Sequence, residues 1–194
     1  MPRDDIDWRK VERWQAAIQR DAAAELRDAF ALEGARGPDI HWEPDAELLS
    51  PPQLRFLLAY WETLRAGRAM PLVAEIDPLA MKPALGYIML VDPEPDGDFR
   101  YRLYGSRIAA ISGFDLTGKR VSDHPASRYL TEFTLALYGA VRRRALPVFT
   151  MHGPNATQHT AAWHRIVLPL ADAGGAVERF LVGTVPIAFD GKPI

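Results

Sequence analysis

Apolar residues recur every three or four positions through residues 6–33, where Val11, Trp14, Ile18, Ala22, Leu26 and Phe30 fall on one stripe. That period predicts an amphipathic helix with Gly34 as its stop. The stretch that follows, GARGPDIHWEPDAELLSPP (34–52), carries four prolines and two glycines and predicts a linker draped over a surface. Pro52 can open a second helix over 53–66, closed by Gly67, with Leu54, Leu57, Leu58, Trp61 and Leu64 on one face.

After a proline-broken connector the period changes to two. Residues 87–91 are an apolar run closed by DPEPDGD. Residues 99–104 alternate, with Phe99, Tyr101 and Leu103 facing one way and Arg100, Arg102 and Tyr104 the other. Ser106 is placed to cap a short helix running to 112. A longer helix over 127–144 has Leu130, Phe133, Leu137 and Val141 on one face, and Arg142, Arg143 and Arg144 suit its C-terminal dipole. Three more strands follow, at 148–152, 163–170 and 179–189, the last two joined as a hairpin through ADAGGAVE. Pro186 belongs at a strand end or sheet edge, since it has no N–H to donate. The order, with helices inserted after the second strand, predicts an α+β fold: a five-stranded antiparallel sheet with helices on one face. Both faces of 163–170 are apolar, so the N-terminal helices are expected to cover the outer face.

Composition narrows the chemistry. With 194 residues the chain suits one domain with an extension, residues 1–50 forming the helix and linker and 51–194 the domain proper. Net charge is −2, and acidic side chains outnumber basic ones 12 to 7 in the first fifty residues, an imbalance too mild to call for nucleic acid. There is no cysteine, which removes disulfides, thiolate metal sites and thiol catalysis. MPRDDIDWRK has no signal-peptide core and no apolar run reaches membrane-spanning length, so a cytoplasmic protein without a membrane span is expected.

GFDLTGKR (113–120) has the G-x-x-x-x-G-K spacing of a phosphate loop, but Arg120 replaces the metal-binding hydroxyl. A helix-like stretch precedes it where a strand is required, so it reads as a turn. Extended backwards to LYGSRIAAISGFDLTGKR, the same segment resembles the signature of PAS domains. In that pattern a strand ends in small residues (Gly105-Ser106), a short helix follows, then Gly113-Phe114, a polar turn, and Gly118-Lys119. The strand order also matches. The segments YWETLRAGRAMP, EIDPLAM, FRYRLYGS, FDLTGKR and IVLPLAD further resemble a group of short bacterial single-domain PAS-like proteins. The resemblance spans about residues 54–189 and implies a PAS-like sheet with an N-terminal helical extension, acting as a sensory module. It supplies no histidine position for haem, and without cysteine no cysteinyl-flavin is expected. His152, His159 and His164 match no metal-ligand spacing, so no metal is expected either.

The resemblance also implies a ligand pocket between the sheet and the helices. Alternation aims Tyr101 and Leu103 into it, with Phe133 and Leu137 from the long helix. Trp163 and Arg165 share a strand face that the resemblance, aligned through Pro169, turns inward. A cation there calls for an anion or carboxylate, so a small acidic or polar ligand is expected. The competing readings are plain core for the aromatic residues and a surface ion pair for Arg165. Output is expected through a signalling partner protein or a homodimer, with Trp14, Ile18 and Phe30 as candidate contacts; simple packing of that helix competes equally. Two other roles stay open. One is a small isomerase- or dehydratase-type enzyme, which needs His164 or Asp115 inside a closed cavity. The other is a ligand-free structural adaptor.

Overall fold

The computed structural model describes residues 5–125, 127–153 and 160–194. The stripe of residues 6–33 forms two helices, α1 (Trp8–Gln19) and α2 (Ala24–Leu32), rather than one. Asp7 caps α1, its carboxylate accepting from the Lys10 amide at 3.1 Å. The chain then turns at Asp21, a non-glycine residue at φ 57°. No proline or glycine marks that break, and Ala22, which continues the period, is exposed in the turn. Gly34, at φ 70°, ends α2, with the Ala35 amide reaching back to the Phe30 carbonyl.

The supposed linker contains a strand. β1 (Asp39–Trp42) pairs antiparallel with β4, Asp39 opposite Met151 and Trp42 opposite Val148. A four-residue strand flanked by Pro38 and Pro44 is too short to display alternation, so the surrounding prolines dominate the pattern. α3 (Pro52–Arg65) follows, with its proline at the first helical position.

Next come β2 (Ile88–Pro93), β3 (Phe99–Tyr104), α4 (Ser106–Ser112), α5 (Arg128–Arg144), β4 (Val148–His152), β5 (Ala162–Ala171) and β6 (Val177–Ile187). The sheet has six strands rather than five, in the order β1-β4-β5-β6-β2-β3, each neighbouring pair antiparallel. Pro186 sits near the end of β6, beyond the stretch that pairs with β2. The start of α4 is capped by the Gly86 carbonyl, which accepts from the Arg107 and Ile108 amides, and not by Ser106. Gly105 allows this approach: a Cβ there would stand 2.3 Å from that carbonyl oxygen.

Helices cover both faces, not one. On the inner face, α5 lies across the sheet and packs with Val91, Phe99, Tyr101, Val148, Val167, Phe180 and Val182 in one apolar core. The outer face carries a second core, where α3 and short 3₁₀ turns cover Ile166, Leu168, Leu170, Leu181 and Val185. Of the helices expected there, only α3 takes that place. α1 and α2 pack instead on the far side of α5, which is therefore buried nearly all round. GFDLTGKR is a strap along β3: Gly118 donates to the Tyr101 carbonyl at 2.7 Å and Tyr101 donates to the Lys119 carbonyl at 3.0 Å. It thereby covers an edge that would otherwise be open to pairing.

Candidate functional site

Strand register assembles the site. Thr150 of β4 and Thr184 of β6 both stand opposite Arg165 of β5, so the three side chains form one row on the face beneath α5. The Arg165 guanidinium reaches Thr184 Oγ1 from Nε and Thr134 Oγ1, on α5, from Nη1, each at 3.3 Å. Thr134 donates its own proton to the Leu130 carbonyl at 2.8 Å, leaving its oxygen as an acceptor for Arg165. These are long bonds to neutral partners. Among the described residues Arg165, half-buried, makes no ion pair.

Around this row lie further buried polar groups. Among the described residues Thr150 Oγ1 and His152 Nδ1 have no hydrogen-bond partner, and the Tyr138 hydroxyl is paired with that of Tyr101. Tyr138 is one helical turn beyond Thr134, and Tyr101 is its neighbour across the core. Burial pushes the hydroxyls of Tyr101 and Tyr138 above the ordinary tyrosine range and that of Tyr104 up to about 12, while the charge of Arg165 acts in the opposite direction on all three. Burial, and then the same charge, lowers His152 to about 3, so its ring is neutral. Phe133 and Phe30 meet that ring edge-on at 5.7 and 6.0 Å.

Tyr101, Phe133 and Leu137 lie in the inner core, and Trp163 and Arg165 face the same side, Trp163 half-buried opposite His152. Leu103 does not join them. A bulge pairs Leu90 with Leu103 but Val91 with Tyr101, so Arg102 is an extra residue and the alternation slips. Tyr104 turns inward in place of Leu103, which points to the outer face and is 41 % exposed. Trp14, Ile18 and Phe30 are buried within the chain's own core, beside α5. His164 faces the outer side, 3.3 Å from the Ser50 hydroxyl and edge-on to Phe149, so the strand's alternation separates it from His152. His159 lies outside the described residues. Asp115 closes a turn, accepting from the Thr117 amide and hydroxyl, which hold its carboxyl below the usual range. Near it is a shallow groove of about 320 Å³ lined by Asp115, Leu116, Lys119, Asp123 and Pro125.

Thr134, Tyr138, Thr150 and Thr184 are the members that single-strand patterns could not select. Their side chains meet Arg165 only through the pairing of β4, β5 and β6 under α5. His152 was visible, but only as a metal candidate.

The N-terminal extension is clasped to α5 by a buried carboxylate. Glu132 accepts from the Asp7 amide at 3.1 Å and Arg128 Nε at 2.8 Å, and lies 2.8 Å from Lys10 Nζ. Farther along, the Arg144 guanidinium stacks 4.2 Å above the Trp42 ring, tying β1 to the same helix.

An antiparallel sheet crossed by one long helix, with α4 and α5 inserted between β3 and β4, is an α+β fold. The PAS domain family model matches residues 49–185, well over half of the chain, and the chain belongs to that family. It is in general terms a sensory or regulatory module. No curated protein and no solved structure matches it. Among the described residues no helix is long and apolar enough to cross a membrane.

Proposed function

We propose that this PAS domain is a non-catalytic regulatory module that binds a small anionic ligand between α5 and the sheet, with Arg165 as the anchor. The observation that carries this is Arg165 itself. A guanidinium on the inner face, held among the described residues by two 3.3 Å contacts to hydroxyl oxygens and no ion pair, retains an uncompensated charge and unused donors. Such a group is costly in the interior unless an anion meets it, and a carboxylate fits its planar fork through two parallel hydrogen bonds. The acid–base enzyme reading lacks its groups: His164 lies on the outer face and Asp115 in a surface turn.

Output then passes to a partner protein or to a second copy of this chain. A contact through Trp14, Ile18 and Phe30 requires α1 and α2 to leave α5, because all three are buried there. The ligand reading is tested by thermal shift of the full chain with small carboxylates and uncharged analogues of equal size. Carboxylates should raise the melting temperature of the wild type and not of Arg165→Met. Equal shifts in both proteins would refute it.

A further inference from the structure

The same row of side chains restricts what kind of anion fits, and this inference rests on the reading that Arg165 binds one. We infer that the ligand is a monocarboxylate with a flat apolar body and an uncharged hydroxyl at its far end. Charge is the first ground. The other polar side chains grouped here are Thr134, Thr150, Thr184, Tyr138 and His152, and none carries a charge at neutral pH. The nearby cations Lys10, Arg128 and Arg144 are engaged on the extension side of α5, with Glu132, Trp42 and Asp21. Among the described residues one positive charge is therefore offered inside, and a second carboxylate would be buried without a partner, at a cost of several kcal/mol.

Position is the second ground. His152 lies two residues beyond Thr150 on β4 and on the same face, about 7 Å along the strand by ordinary rise. A carboxylate at Arg165, beside the unpartnered Thr150 hydroxyl, places a group at that distance against the unpartnered His152 Nδ1. A neutral imidazole nitrogen accepts from or donates to a hydroxyl, and gives a second carboxylate no charge to meet. The third ground is shape. The edges of Phe30 and Phe133 border that ring, and Trp163 faces the same side of the sheet, so a ligand body spanning the two polar ends would meet aromatic surface.

Four matched probes test this on the full-length chain by isothermal titration: 4-hydroxybenzoate, benzoate, terephthalate and 4-hydroxybenzamide. The expected order has 4-hydroxybenzoate tightest, benzoate and terephthalate each at least tenfold weaker, and the uncharged amide undetectable. His152→Leu should abolish the advantage of 4-hydroxybenzoate over benzoate. Arg165→Met should abolish binding of every acid, and Arg165→Lys, which keeps the charge without the fork, should give an intermediate loss. Circular dichroism checks that each variant is folded. Terephthalate binding as tightly as 4-hydroxybenzoate, still dependent on Arg165, overturns the monocarboxylate inference and leaves the anion reading standing. An amide equal to the acid, or acids that bind Arg165→Met unchanged, overturns the anion reading as well. If none of the four binds, this inference fails, and Arg165-dependent stabilisation by formate or acetate then decides the broader one.

Discussion

Two threonines flank Arg165 in the same row, and their opposite hydrogen-bonding states make a sharp test of the site. Thr184 Oγ1 accepts from Arg165 Nε, whereas Thr150 Oγ1, fully buried, has no partner among the described residues. Replacing Thr150 with Val keeps the β-branched shape that suits a strand and exchanges the orphan hydroxyl for a methyl group. A buried polar group left unpaired costs about 1–3 kcal/mol, and taking the low end for a hydroxyl gives a stabilisation of about 1 kcal/mol. For a domain of this size that corresponds to a rise of roughly 2–4 °C in melting temperature. Thr184→Val should do the reverse, since it removes one of the two acceptors that a half-buried cation finds among the described residues; a loss of about 1 kcal/mol is expected.

The assay is urea and thermal denaturation of protein unfolded, freed of any bound small molecule and refolded, with equal m-values required so that midpoints compare stabilities. A ligand-free Thr150→Val that melts below the wild type would refute the reasoning, because it would mean the hydroxyl is satisfied in the folded state. A stabilised Thr150→Val that also binds small carboxylates more weakly would show a side chain kept for binding at the expense of stability, the pattern expected of a site.

Three other perturbations read the surroundings. His152 is neutral in the fold, with its pKa depressed to about 3, and takes up a proton near pH 6.5 on unfolding. Its contribution is therefore complete above pH 6.5 and is lost as pH falls toward 3, by at most roughly 4–5 kcal/mol, and His152→Leu should flatten that acid limb in denaturation midpoints measured from pH 7 to 4. Glu132→Ala strips the acceptor from Lys10, Arg128 and the Asp7 amide; both cations are partly solvated, so about 2 kcal/mol is expected in urea unfolding. Removing residues 1–48 leaves the whole family-matched region but uncovers the back of α5 by taking away Val11, Trp14, Ile18, Leu26 and Phe30. At about 1.5–3 kcal/mol for each large side chain the loss rivals the total stability of a domain, so the truncated chain should lack the dispersed amide spectrum of a folded protein.

That last expectation bears on what could be foreseen from residues alone. Strands 99–104, 148–152 and 163–170 and the helix around Phe133 and Leu137 declared themselves by period, and the turn glycines of GFDLTGKR by spacing, because each signal is local. The failures are all cases where a distant partner decides. Asp39–Trp42 is a strand because β4 offers it an edge, and nothing within four residues encodes that offer. The stripe from Val11 to Phe30 continues across a break because both resulting helices face the same α5 surface. Leu103 was misdirected by a single extra residue, Arg102, whose bulge is a property of the β2–β3 pair and not of β3.

The site divides along the same line. Arg165 stood out because a cation amid apolar strand positions is anomalous wherever its partners lie. Thr134, Thr150 and Thr184 are ordinary in their own elements, since threonine suits a strand and is tolerated in a helix. They come together beside Arg165 only through register: a one-residue slip of β4 against β5 would turn Thr150 to the outer face and place an apolar neighbour beside Arg165. The extension reinforces that register, since β1 pairs along β4 and the Gly153 amide donates to the Arg36 carbonyl just past its end. Residues outside the family match therefore help hold the polar row in place, so the extension belongs to the same structural unit as the candidate site.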